Sequence, residues 1–201
     1  MVDQTFPNRP PLPVGSIGLH SAGFTGMALL ILSEASVFAY LFFAYFYFSV
    51  QPHSGAWPPS GPPSFKYSAL QAGIMLIGCA TAWWANRSAA RGARPAVLLA
   101  LGLSLLLALS FIALQFADWY DKPYSLASDA ASSFYFVITG VHLAHVVAGA
   151  LMIAAVLVWS ALGYFGPVRH VPILVTAFYW YFLAVAYLWL FFTLYGTPRL
   201  A

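Results

Sequence analysis

Charge is what this sequence has least of. Eight basic and five acidic side chains are spread over 201 residues, 6% of the chain, where an ordinary soluble domain carries about 25%. So few charges cannot solvate a globular surface. Cysteine is nearly missing as well: Cys79 stands alone, which excludes an intrachain disulfide and a cysteine-rich metal cluster and leaves it as a packing residue within a helix. There is no basic stripe of the kind that nucleic acid demands. No phosphate-cradling glycine loop and no plausible catalytic triad is present either. The opening stretch MVDQTFPNRPPLPVGSIGLH is polar and proline-rich instead of basic and then apolar, so no cleavable signal peptide is expected.

What the chain has is apolar length. Hydrophobic residues make up 62% of it, with a mean hydropathy of +0.81, and they fall in runs close to the roughly 20 residues that cross a bilayer's hydrocarbon core. The pattern predicts an all-α, polytopic membrane protein: a polar tail over residues 1–22, then one domain over 23–201. That domain is a bundle of five transmembrane helices with spans near 23–50, 69–85, 96–117, 134–162 and 172–195. The loop QPHSGAWPPSGPPSFKY follows the first span, its prolines opposing helix continuation, and the short basic hairpin NRSAARGARP makes the second and third spans antiparallel neighbours. Short loops rich in Lys and Arg stay on the cytoplasmic side. Arg9, Arg87, Arg91, Arg94 and Arg169 fall together when the amino terminus is cytoplasmic and the carboxyl terminus outside, leaving Lys66, Lys122 and Arg199 opposite with Asp118, Asp121 and Asp129. No internal repeat suggests a transporter built from two halves.

Glu34 is the one formally charged side chain well inside a span, at a depth where a charge costs about 2.5 to 3.5 kcal/mol on insertion scales. Its helical neighbours, Met27, Leu30, Ile31, Val37, Phe38 and Leu41, offer no partner. The expectation is a carboxyl that is neutral or hydrogen-bonded, either as a structural bond between helices or as a proton-linked or lipid-facing site, the second being the reading adopted. His142 and His145 sit three apart on the fourth span. A metal needs more ligands and bis-His haem needs an opposing histidine, while His20, His53 and His170 lie at termini or in loops. The two imidazoles are therefore expected to hydrogen-bond between helices or to another subunit, with Glu34 a possible partner. No metal site is expected. Of the aromatic residues near helix ends, Trp57, Trp83, Trp84, Trp119, Tyr120, Trp180 and Trp189, most read as interfacial belts. Gly140, Ala144, Ala148 and Gly149 narrow the fourth helix for close packing.

Several of these motifs, taken in order, resemble subunit III of the haem-copper respiratory oxidases, the cytochrome c oxidase subunit 3 family. The likeness begins in LLILSEASVFAYLFFAYFYF, where Glu34 matches the family's intramembrane glutamate. It continues with Trp57, Pro58, Pro59 and Gly61, then with Leu114, Gln115, Asp118 and Tyr120, which resemble an LQxxEY-like segment. Ser133 follows, and TGVHLAHVVAG matches a TGxHxxHV signature through Thr139, Gly140, His142, His145 and Val146. Two departures stand out. A last helix reading YWHFVDxxW in the family is here YWYFLAVAY, so the histidine and aspartate are Tyr181 and Ala184. The full family form has seven helices, and the two that would come first, one wall of a lipid-filled cleft, have no counterpart here.

The resemblance implies a subunit of an enzyme complex that reduces oxygen to water with electrons from cytochrome c or quinol and conserves the energy as a proton gradient. This chain would hold no cofactor of its own. Haem and copper would sit in subunits I and II, its partners, and cytochrome c or quinol would act at the complex. Its own role would be to stabilise the catalytic subunit and bind structural phospholipid, with Glu34, His142 and His145 as the site, in a bacterial cytoplasmic membrane. Two alternatives are an accessory subunit of a nitric oxide reductase system and a free-standing proton-coupled transporter.

Overall fold

A computed structural model describes residues 21–52, 57–61 and 63–199. The reading of residues 1–20 as a polar tail, and the placement of His20 and His53, fall outside that range. Five helices follow one another: α1 (Ala22–Ser49), α2 (Phe65–Ala90), α3 (Arg94–Tyr120), α4 (Ala130–Ala161) and α5 (Val171–Phe191). The last continues through a π-helical turn (Phe192–Gly196) and a 3₁₀ turn (Thr197–Arg199). No strand occurs among the described residues. All five helices are long and apolar enough to cross a membrane. The second runs about four residues beyond its apolar stretch at each end, because its terminal residues are polar but still helical.

Local chemistry sets the boundaries. Ser21 caps α1, its Oγ accepting from Phe24 N at 3.2 Å, and Asp129 caps α4, its Oδ1 accepting from Ser132 N at 2.8 Å. Proline occupies the first turn of α3 and of α5, where no amide donor is missed. Helices α2 and α4 both end on a glycine with positive φ, Gly92 at 71° and Gly163 at 78°. The amides that follow reach back five residues, Ala93 N to Ser88 O and Tyr164 N to Trp159 O, both at 3.0 Å, the Schellman closure that glycine permits.

The chain runs up and down, so the starts of α1, α3 and α5 share one end with the finishes of α2 and α4. Helix α5 is the centre: Trp180, Leu183, Tyr187 and Leu190 are all almost fully buried. Helix α1 packs on the edge, against α4 and α5, with 11% of its apolar window buried against 56% for α5. Close approach needs small residues, as packing without a hydrophobic drive between helices requires. A β-carbon at Gly78 would collide with the Trp180 indole, 2.8 Å from its Cε2, and one at Gly149 would stand 3.1 Å from Leu183 Cδ1.

Two expectations are corrected by this packing. Trp180 belongs to no interfacial belt: it is 1% exposed, wedged over Gly78 in the bundle core, whereas Trp83 and Trp189 do face outward. The small-residue stripe on α4 is divided as well. Gly149 packs against α5 and Gly140 against Trp119, but Ala144 and Ala148 lie on the exposed side, because a stripe spaced by four drifts across the face of a helix with 3.6 residues per turn.

Candidate functional site

Helix α1 carries Glu34 on the side turned toward α4, where its Oε2 lies 2.9 Å from His145 Nε2. The other imidazole nitrogen, Nδ1, faces the Val141 carbonyl at 2.7 Å. A carbonyl only accepts, so Nδ1 carries a hydrogen. The contact on the Nε2 side then holds a single proton in either of two ways: an imidazolium donates to a carboxylate, or a neutral carboxyl donates to a neutral imidazole. Both arrangements have net charge zero, which is how an ionisable pair is tolerated among apolar helices. The partner that Glu34 lacks on its own helix is thus 111 residues away in the sequence.

The pair sits at a surface. The side chains of Glu34 and His145 are 34% and 16% exposed, and Leu30 and Val37, one turn to either side of Glu34 on α1, face outward. Phe38 packs against the imidazole, ring centroids 5.2 Å apart, and Tyr179 donates to the His145 carbonyl at 3.4 Å. The Glu34 carboxyl is therefore accessible from the outer face of α1.

His142 does something else. Although it shares a face with His145 by spacing, it is 1% exposed and its Nε2 donates to the Leu183 carbonyl of α5 at 3.1 Å. Phe111 and Tyr187 pack beside it, with ring centroids at 5.5 and 5.3 Å. One histidine ties α4 to α5 and the other ties α4 to α1, since a three-residue step turns the side chain by about 60°. The replaced positions of the last helix are near this tie: Ala184 is buried and Tyr181 is half-buried.

The remaining signature residues lie elsewhere. Trp57, Pro58 and Pro59 form a turn closed by Gly61 N to Pro58 O at 2.9 Å, with the Trp57 ring against Tyr45. Pro58 lines a small cavity of about 20 Å³ together with Tyr124 and Tyr135. Thr139 accepts from Trp119 Nε1 at 3.0 Å and donates to the Tyr135 carbonyl at 2.6 Å, while Gly140 leaves room for the Trp119 ring. These positions fix Trp119 and the α3–α4 contact. Among the described residues no three His, Cys, Asp or Glu side chains are gathered as metal ligands.

Sequence reasoning missed the most buried carboxylate. Asp118, 1% exposed, pairs with Lys122, 5% exposed, at 2.8 Å. Its other oxygen accepts from Tyr135 of α4 and, at 3.3 Å, from Tyr195 in the π-helical turn. The i, i+4 spacing of Asp118 and Lys122 was the available signal; position near a span end disguised it as an interfacial charge. A second buried set lies beside it, with Gln71 Nε2 donating to Gln115 Oε1 at 3.0 Å and Tyr187 donating toward Gln71 Oε1 at 3.1 Å. Tyr120, from the same sequence segment, points outward at 91% exposure. Just past the end of α3, Asp121 accepts from Lys66 Nζ and Tyr67 Oη in the first turn of α2, both at 2.8 Å. The Lys66 bond, then the Tyr67 bond, holds its carboxyl below the usual range.

A bundle of five membrane-crossing helices carrying an interhelical Glu–His pair defines a polytopic integral membrane protein. The family model described as Cytochrome c oxidase subunit III matches residues 17–197, and the chain belongs to that family. Among its relatives, the cytochrome c oxidase subunit 3 of Danio rerio is 34% identical over 176 residues, covering 85% of this chain and 67% of the relative. Those of Formosania lacustris and Scyliorhinus canicula are 33% and 32% identical over the same shares.

Proposed function

We propose that this chain is the non-redox accessory subunit III of a proton-pumping terminal oxidase, and that Glu34 with His145 is its proton- or lipid-linked site. The observation that carries the reading is the pairing itself. A glutamate on α1 and a histidine on α4 lie 2.9 Å apart, within hydrogen-bond distance, at the outer surface of the bundle. His142 supports the site by holding α4 on α5. Haem and copper belong to subunits I and II in this reading, and cytochrome c or quinol acts there. The largely uncovered α1 offers its apolar side to phospholipid or to a neighbouring subunit. Stabilisation of the catalytic subunit follows from packing beside it.

The orientation proposed is amino terminus cytoplasmic, from the position of the arginines. The membrane proposed is a bacterial cytoplasmic one; the relatives named above are vertebrate proteins and speak for the subunit alone.

The test is purification in mild detergent through a tag on this chain, followed by an optical spectrum and an oxygen-consumption assay. Haem-containing partner chains and oxygen reduction are expected to co-purify. A stable chain that arrives alone and colourless overturns the oxidase reading and directs attention to transport assays in liposomes.

A further inference from the structure

The buried pair of Asp118 and Lys122 meets two phenols. Tyr135 of α4 and Tyr195 of the π-helical turn both donate to Asp118 Oδ2, with their own oxygens 3.3 Å apart. A phenol oxygen whose hydrogen is given to a carboxylate can still accept. Tyr135 also lines the cavity of about 20 Å³ at this end of the bundle, which puts a group bonded to Asp118 in the cavity wall. Five of the ten lining residues carry a hydroxyl: Tyr45, Ser60, Tyr124, Ser132 and Tyr135. They come from α1, from α4 and from the two loops that meet here.

Size and lining agree on the occupant. One water needs about 10 to 15 Å³ and two to four polar partners, and this cavity supplies both while leaving no room for a larger ligand. The wall also runs inward from solvent: Ser60 is exposed and Tyr124 half-buried, whereas Ser132 and Tyr135 are 3% and 2% exposed. Asp129 Oδ2 ties the loop to the start of α4, accepting from Ser132 Oγ at 2.9 Å and from Ser60 Oγ at 3.5 Å. From these observations we infer that the cavity is a water-binding site, and that its water joins the Tyr135–Asp118 bond to the aqueous phase at this end of the bundle. The buried carboxylate then exchanges protons with solvent through one phenol. This site is distinct from the Glu34–His145 contact and independent of the oxidase reading.

The experiment is water-edited solid-state NMR of the full chain in bilayers, with carbon-13 at tyrosine Cζ, the atom that bears the phenol oxygen. Magnetisation passes from water to carbons close to it, so the rate of signal build-up reports hydration. Tyr187 is the internal standard: it is buried as deeply, at 1% exposure, but its hydroxyl faces Gln71 and Ser68 instead of the cavity. The Tyr135 signal is expected to build several-fold faster than that of Tyr187. Ala131→Val fills part of the cavity and is expected to bring Tyr135 down to the Tyr187 rate. Because added methyl groups at a buried position also disturb packing, Tyr124→Phe serves as the second variant. It keeps the ring, removes one hydroxyl from the lining and is expected to slow Tyr135 while leaving Tyr187 unchanged. Equal build-up at Tyr135 and Tyr187 in the native chain, or a fast Tyr135 signal that neither variant slows, overturns the proposal.

Discussion

At the scale of single residues, the Glu34–His145 bond is a coupled unit, since each group left alone becomes an unpaired polar atom among apolar helices. Removing either partner is expected to cost about 1 to 3 kcal/mol, and removing both is expected to cost less than the sum. A double-mutant cycle of Glu34→Ala and His145→Ala, read by thermal unfolding in nanodiscs, measures the difference; strict additivity would mean the bond contributes nothing. Glu34→Gln, which can still donate to Nε2, should stay close to the native protein. Asp118 predicts more. Lys122→Met strands a buried carboxylate and is expected to cost about 3 to 5 kcal/mol, whereas Asp118→Asn with Lys122→Met should recover much of that loss. The loop residue Tyr124 gives a pH dependence. Its hydroxyl is pushed up to about 12, first by burial and then by the charges of Asp118 and Asp129. An unfolded tyrosine ionises near 10, so between about pH 10 and 12 the folded form keeps a proton the unfolded form has lost, and stability falls as pH rises through that window. Tyr124→Phe should flatten the slope, as followed by unfolding temperature against pH and by tyrosinate absorbance.

At the scale of elements, all five helices were legible because apolar runs near membrane length leave little else to choose. Their partners were less so. Glu34 announced that it needed a partner on another helix, and His145 was among the candidates, but nothing in a spacing of three said that His142 would turn to α5 instead. Asp118 was hidden by its place near a span end, and Trp180 by its likeness to belt tryptophans; in both cases the deciding fact was a neighbour remote in sequence, Tyr195 and Gly78. Gly78 is where a small change should matter most. Alanine there presses on a ring in the bundle core, and Gly78→Ala is expected to lower stability by about 1 to 3 kcal/mol, while Gly102→Ala, with open space around it, should be neutral or slightly stabilising. Unfolding of the two variants side by side checks the contrast.

At the scale of the whole molecule, α2 and α4 pack on a buried face of α5, α3 packs across α2 and α4, and α1 is laid along the edge against α4 and α5, and the chemistry is divided accordingly. The Glu34–His145 contact lies between the edge helix and the core, the buried ion pair at one end, the arginines at the other. The buried carboxylate also has a history during synthesis. Asp118, Lys122 and Tyr135 are all made before Tyr195, which follows Tyr135 by 60 residues and arrives with the π-helical turn. Until that turn is in place the carboxylate lacks its last donor, so it works as a latch that closes when the final helix inserts. A chain cut after Phe191 should therefore be cleared by membrane proteases faster than the full one, in a pulse-chase comparison, and equal lifetimes would argue against the latch. Arrival of Tyr195 in the membrane is, in this protein, something the fold itself can sense.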